Sequence, residues 1–279
     1  LLAGMNYFEF KYREADYGSA PKGLMYGLQC LDSWLYDGDP MTHLCYQETF
    51  DFLKKEGIHP HLIQELEQFR SAFGTEPEIA NRIRTPRYYY YGTKIWEEAL
   101  SALLCGEHLL LTGPKATGKN VLAENLAAAF GRPLFNISLS INTDAASLIG
   151  SDTWKNGEVT FREGPVSQSA RFGGFGVLDE INMAKNEALA VLHEALDFRG
   201  SIDVPGYDRI DLHPACRFIA TMNYGYAGTR ELNEALASRF VVIDMPPISE
   251  DYLAKLLRSE FPDLSPAWNT QFCRIFQEL

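Results

Sequence analysis

No run of roughly 18 or more apolar residues occurs in this chain, and no basic stretch leads into an apolar segment with a small-residue cleavage site. A membrane span and a secretory signal are therefore both excluded as readings of the sequence, and a cytoplasmic protein is expected. Cysteine is sparse: Cys30, Cys45, Cys105, Cys216 and Cys273 are odd in number and lack paired spacing. That pattern argues against a disulfide framework or a thiolate zinc site and for reduced thiols. Positive charge is in deficit, with 25 Lys and Arg against 37 Asp and Glu, a formal net charge of -12. Such a balance repels a polynucleotide backbone, so nucleic acid is a disfavoured partner. His43, His59 and His61 are too weakly spaced for ligands and read as surface or packing residues.

What is present is ordinary globular material: 279 residues, 46% hydrophobic, enough for one large domain or two smaller ones. The chain opens on leucine, and an apolar helical pattern still runs at Leu279, so both ends read as incomplete. Residues 1–85 hold "GLMYGLQCLDSWLYDG", "MTHLCYQETFDFLKKEG" and "HLIQELEQFRSAFG", each with apolar residues three and four apart and a closing glycine. They predict a helical N-terminal module with a docking or oligomerisation role. Pro86 in "RTPRYYYYGTK" punctuates the pattern.

From Lys94 onward, helical segments alternate with short apolar strands: "EHLLLTG", "RPLFNISLS", "FGVLDE", "CRFIATMN" and "VVIDM" are the strands. The helices between them are "KIWEEALSALLCG", "KNVLAENLAAAF", "NEALAVLHEALDF" and "RELNEALASRF". The alternation predicts an α/β fold, a parallel sheet with helices on both faces and ligands at the strands' carboxyl ends. Two hairpins interrupt it, "SDTWKNGEVTFREG" with an Asn-Gly turn and "GSIDVPGYDRIDLH" with Pro-Gly. Ser249 and the pair Ser265 and Pro266 are expected to open two further helices.

Gly113, Gly118 and Lys119 match G-x-x-x-x-G-K between a strand and a helix. Glycines there let the backbone turn so that amides from Lys115 to Asn120 face phosphate oxygens, while Lys119 reaches the terminal phosphates. The expected cradle runs through Gly113, Pro114, Lys115, Ala116, Thr117, Gly118, Lys119, Asn120 and Val121, and a structural turn with a helix cap is the competing reading. "FGVLDE" ends a strand in Asp179 and Glu180. Asp179 suits a magnesium water shell and Glu180 suits activation of water, although an acidic helix cap explains the pair equally well. Asn223 ends "FIATMN" and either positions water or the terminal phosphate or is a turn residue. Arg230 and Arg239 flank a helix, solvated or placed to stabilise charge on a neighbour's nucleotide.

The order of these signals, G-x-x-x-x-G-K, then strand-DE, strand-TMN and helix-SRF, is that of AAA+ ATPases. Over residues 86–247 the sequence resembles the MoxR-type AAA+ ATPases in "GEHLLLTGPKATGKNVLAENLA", "LIGSDTWKNGEVTFREGPV", "GVLDEINMAKNEALAVLHEAL" and "FIATMNYGYAGTRELNEALASRF". The hairpin between "LIG" and "REGPV" is similar to the insert in the second helix that marks this branch. The resemblance implies a five-stranded parallel sheet flanked by helices, followed over residues 248–279 by the start of a helical lid. It also implies ATP and Mg2+ as ligands, ATP hydrolysis, and a homo-oligomeric ring of six subunits that remodels or activates a client protein. A partner bearing a von Willebrand A domain and metal loading of enzymes belong to the same implication. Trp154, Phe161 and Tyr207 then line a central pore, or else pack the hairpins onto the sheet.

The chain departs from the pattern at Lys115, at Ala116 and above all at Asn120, which replaces a hydroxyl residue. Its carbonyl oxygen is still a legitimate magnesium ligand, so Asn120 and Asp179 are the expected metal contacts and the site reads as modified but working. Glu180, Asn223, Arg239 and Lys119 are the expected catalytic set. Two other readings stand beside this one: a nucleotide-binding assembly scaffold with little turnover, and a GTP-using motor similar to the McrB-type relatives.

Overall fold

In a strand buried on both faces, successive side chains point to opposite sides of the sheet, so each strand feeds two cores. The structure is a computed structural model that describes residues 40–155, 157–223 and 232–278. The expected helix over residues 23–38, Asn156 of the first hairpin turn, Arg230, and the side chains of His43 and Cys45 lie outside the described residues.

In chain order, α1 (Pro40–Glu56), α2 (Pro60–Ala72) and α3 (Thr93–Leu104) precede β1 (Leu109–Gly113), α4 (Lys119–Phe130) and β2 (Leu134–Ser138). A short α5 (Ala145–Ile149) leads into the hairpin β3 (Gly150–Lys155) and β4 (Glu158–Glu163), followed by α6 (Pro165–Phe172), β5 (Phe175–Asp179) and α7 (Asn186–Leu189). The small hairpin β6 (Ser201–Ile202) and β7 (Ile210–Asp211) comes next, then β8 (Arg217–Asn223), α8 (Glu234–Ala237), β9 (Val241–Asp244), α9 (Glu250–Glu260) and α10 (Pro266–Glu278). The main sheet has five strands, ordered β2-β5-β8-β1-β9, with every pairing parallel.

Alternation within the strands divides the interior in two. Leu109, Leu111, Val177, Ile219 and Ile243 face a core shared with α1 to α4, and Leu110, Leu178, Phe218 and Ala220 face a second core built on α6, α7 and the β6-β7 hairpin. Phe50 and Leu53 of α1 and Leu66 and Phe69 of α2 pack in the first core beside Leu122 and Phe130 of α4. Arg132 fastens the same junction: its guanidinium donates to the carbonyl oxygens of Phe73, Gly74, Phe172 and Gly173 at 2.7 to 2.9 Å. Burial draws its pKa down to about 10, still charged at neutral pH. His59 is a cap: its Nδ1 accepts from the His61 amide at the start of α2.

Two local expectations differ from what is seen. "NEALAVLHEALDF" predicts one long helix, whereas α7 spans Asn186–Leu189 and tightens into a 3-10 turn at Ala190–Leu192. Ala188, Leu189, Leu192, Ala195 and Leu196 are all buried, so the apolar period marks which face is covered and not which hydrogen-bond pattern covers it. The second hairpin is shorter than its alternation suggests, with two paired residues on each strand, and Gly206 at φ +82° turns it after Pro205. Ser249 and Ser265 both accept from amides at the starts of α9 and α10.

Candidate functional site

Strand order brings the chemistry together. In the register of adjacent parallel strands, Gly113 ending β1 lies opposite Asn223 ending β8, and Thr112 lies opposite Asp244 ending β9. β5 flanks β8 on the other side and ends in Asp179. The carboxyl ends of four neighbouring strands thus converge on the loop between β1 and α4, the usual ligand position in an open α/β sheet.

The loop is built on backbone conformations that few side chains tolerate. Gly113 has φ +144°, and a Cβ there meets the Met245 carbonyl oxygen at 2.5 Å. Gly118 has φ +82°, and its Cβ meets the Tyr90 ring at 3.2 Å. Ala116 carries a side chain at φ +62°, where a non-glycine residue costs about 1–2 kcal/mol. The two positions therefore answer substitution differently. Gly118→Ala is expected to lose about 1–2 kcal/mol, since the methyl adds left-handed strain and the Tyr90 contact. Ala116→Gly trades relief of strain against unfolded-state entropy and stays within about 1 kcal/mol of the parent. Urea unfolding of both variants is the measurement, and equal losses contradict this account of the loop.

Lys119, 7% exposed, turns its ammonium into the curl of the loop. Nζ donates to the carbonyl oxygens of Gly113 at 3.0 Å and Pro114 at 2.6 Å, and to Thr117 Oγ1 at 3.2 Å. Burial lowers its pKa, while the Asp179 and Asp244 carboxylates act in the opposite direction. Thr117 Oγ1 in turn donates to the Pro114 carbonyl oxygen at 3.1 Å. Asn120 and Lys115 are exposed, and Val121 is half-buried on the first turn of α4.

Asp179 and Glu180 are fixed from β8. Thr221 Oγ1 donates to Asp179 Oδ1 at 2.6 Å and accepts from the Glu180 amide at 3.1 Å. Glu180 sits in the left-handed region at φ +56°, a strain characteristic of functional positions. Its Oε1 accepts from Asn223 Nδ2 at 3.3 Å, and the buried Asn182 donates to the Asn223 carbonyl oxygen at 3.0 Å. Asn223 is therefore a partner of Glu180, and Asn182 is tied to the strand end; Glu180 precedes a 3-10 turn at Ile181–Met183 but makes no side-chain cap hydrogen bond to it.

Arg239 is not part of this cluster. Its Nη1 donates to the Ala235 carbonyl oxygen, and Nη2 lies 3.7 Å from Asp197. The two hairpins contact each other: the rings of Phe161 and Tyr207 lie 4.9 Å apart, and the Tyr207 hydroxyl donates to Asp152 at 2.7 Å. Trp154 is 73% exposed and paired across the hairpin with the exposed Val159.

Several residues of the site escaped the sequence reading. Thr221 and Asn182 are buried polar groups in apolar surroundings, and that contrast was the available signal. Asn125, fully buried in α4, accepts from the Tyr90 amide and donates to the Tyr88 carbonyl oxygen, both at 2.8 Å. This fixes the tyrosine-rich segment against Gly118. Burial, with Tyr252 of α9 nearby, pushes the Tyr90 hydroxyl up to about 12.

The loop fits a phosphate chain: it has a glycine-dependent curl, one ammonium inside it, and two carboxylates beside that ammonium. Magnesium is generally held by one or two protein oxygens together with phosphates, and Asn120 and Asp179 are donors of that kind. Among the described residues no helix is long and apolar enough to cross a membrane.

The profile described as AAA domain, dynein-related subfamily, matches residues 108–240. The uncharacterized YojN protein of Bacillus subtilis is 39% identical over 189 residues, 66% of this chain and 62% of the relative. An uncharacterized protein of Staphylococcus haemolyticus is 36% identical over 180 residues, 62% of this chain and 68% of the relative. The chain thus spans 62% and 65% of the length of the first two curated relatives it matches. A candidate ATPase from Cytophaga hutchinsonii is similar in structure, with a TM-score of 0.49, 17% identity, and coverage of 82% of this chain and 64% of that one.

Proposed function

From the premise that the chain belongs to the AAA+ ATPases, we propose that it binds ATP with Mg2+, hydrolyses it, and uses the cycle to remodel or activate a client protein as MoxR-type members do. The observation that carries this reading is the convergence of Lys119, Asp179, Glu180 and Asn223 at the carboxyl ends of β1, β5 and β8, held by Thr221. Lys119 exchanges its loop carbonyl partners for terminal phosphate oxygens when the nucleotide enters. Glu180 orients water for in-line attack and takes its proton at the carboxylate, and Asn223 fixes the carboxylate's direction. Asp179 and Asn120 would hold the magnesium ion, which would supply charge neutralisation to the phosphates. Arg239 acts on a neighbouring subunit's nucleotide in a ring, of which six copies is the expected number.

In this proposal residues 1–85 form the docking module, residues 86–247 the ATPase core and residues 248–279 the beginning of a lid. The exposed Trp154 and Val159 at the hairpin support a contact with client polypeptide, with a von Willebrand A domain protein as a further partner. The test is phosphate release from assembled protein. Asn120→Thr is expected to keep or raise magnesium-dependent turnover, because it offers a shorter oxygen ligand at the same exposed helix position. A collapse of turnover with folding intact shows that the asparagine has a task of its own, and no turnover in the parent favours the scaffold.

A further inference from the structure

Two arginines, Arg199 and Arg239, meet the carboxylate of Asp197. Asp197, 13% exposed, lies in the turn after Leu196. Arg199 closes on it with Nε at 3.1 Å from Oδ1 and Nη2 at 2.7 Å from Oδ2, and also pairs with Glu194. Arg239 approaches the same Oδ2 at 3.7 Å from the turn after α8. The Arg199 hydrogen bonds hold the Asp197 carboxyl down at about 2, so it is ionised throughout the neutral range.

The two contacts differ in kind. Arg199 has the short, forked geometry of a full charge-assisted pair. Arg239 has a long ion pair, one hydrogen bond to the Ala235 carbonyl oxygen, and an Nε that is buried with no hydrogen-bond partner among the described residues. Its direction is set, yet among the described residues its hydrogen-bonding capacity is largely unspent. An arginine that must meet phosphate on another subunit needs that combination, because a fully satisfied fork costs more to withdraw than the new contact returns.

We infer that Asp197, clamped by Arg199, is a positioning residue for Arg239: it fixes the guanidinium at the subunit edge and yields it to the neighbouring subunit's terminal phosphate. The inference rests on the proposed trans role of Arg239. Asp197 touches no nucleotide itself and acts only through that arginine.

The experiment is a double-mutant cycle on the assembled protein, read as steady-state kcat and KM for ATP and as single-turnover phosphate release. Asp197→Asn, nearly isosteric, is expected to lower kcat on the order of ten- to a hundredfold with KM unchanged, the scale of a misplaced catalytic group. In an Arg239→Ala background the same substitution is expected to add nothing. Asp197→Glu recovers part of the loss. Arg199→Lys weakens the clamp while leaving the carboxylate, and gives a smaller loss that also vanishes without Arg239. If Arg239→Ala is impaired while Asp197→Asn turns over at the parental rate, this inference is overturned and the trans role stands. An equal Asp197→Asn loss in both backgrounds overturns it too, since a general structural defect has that signature. Parental turnover in Arg239→Ala removes the trans role and the inference together.

Discussion

Glu180→Gln is expected to retain ATP binding and to lower turnover by about 10² to 10⁴, the range that a positioned general base contributes. The substitution keeps the side chain's size and its acceptor oxygen for Asn223, but removes the charge that in the proposed mechanism draws a proton from water. Lys119→Ala is expected to do the opposite, with binding as the first loss. It deletes a buried ammonium whose donors already converge inside the loop, and each charged hydrogen bond to phosphate lost is worth about 1.5–3 kcal/mol, or roughly one to two decades in affinity. Titration with a fluorescent ATP analogue and single-turnover phosphate release separate the two effects. The roles assigned here fail if both variants lose binding equally, because then neither residue distinguishes the ground state from the transition state.

Arg239→Ala is expected to bind ATP at parental affinity and turn it over about 10³ to 10⁵ times more slowly, the scale of an arginine supplied in trans. The structure keeps Arg239 outside the cluster of Lys119, Asp179, Glu180 and Asn223, against Asp197. In the proposed ring a residue so placed would serve another subunit's nucleotide, and mixing supplies the test. Lys119→Ala subunits are expected to hold nucleotide weakly but still carry Arg239, so they are expected to restore activity to Arg239→Ala neighbours whose own pockets are intact. Mixed assemblies no more active than either parent, or a monomer working at the assembled rate, would falsify the trans arrangement.

Much of the fold follows from local pattern. Strands of four to seven residues, short loops and glycine at helix ends are properties of neighbouring residues, so the alternation from Lys94 onward already implies a parallel sheet with two covered faces. The loop from Gly113 to Asn120 lies between a strand and a helix in the sequence and in the structure. Sequence also carries the departure at Asn120. The limits appeared where period and hydrogen-bond pattern part company, as after Leu189, where the buried face continues but the α-helix does not.

Tertiary structure decided what no window of sequence contains. Thr221 reaches Asp179 across 42 residues, and Arg132 reaches Phe73 across 59, because the strand order and helix docking bring distant segments into contact. Sequence periodicity specifies which face of an element is apolar, but not which partner covers it; hence α1 and α2 could be seen as amphipathic, while their packing in one core with α4 could not. The same reason separates Ala116, whose departure from glycine was visible but whose φ of +62° was not, from Asp197, whose contact with Arg239 exists only once the turn after Leu196 and the end of α8 meet. Composition and spacing named the groups able to handle phosphate; the convergence of parallel strand ends, a long-range consequence of burying both sheet faces, placed Lys119, Asp179, Glu180 and Asn223 together and set Arg239 against Asp197 instead.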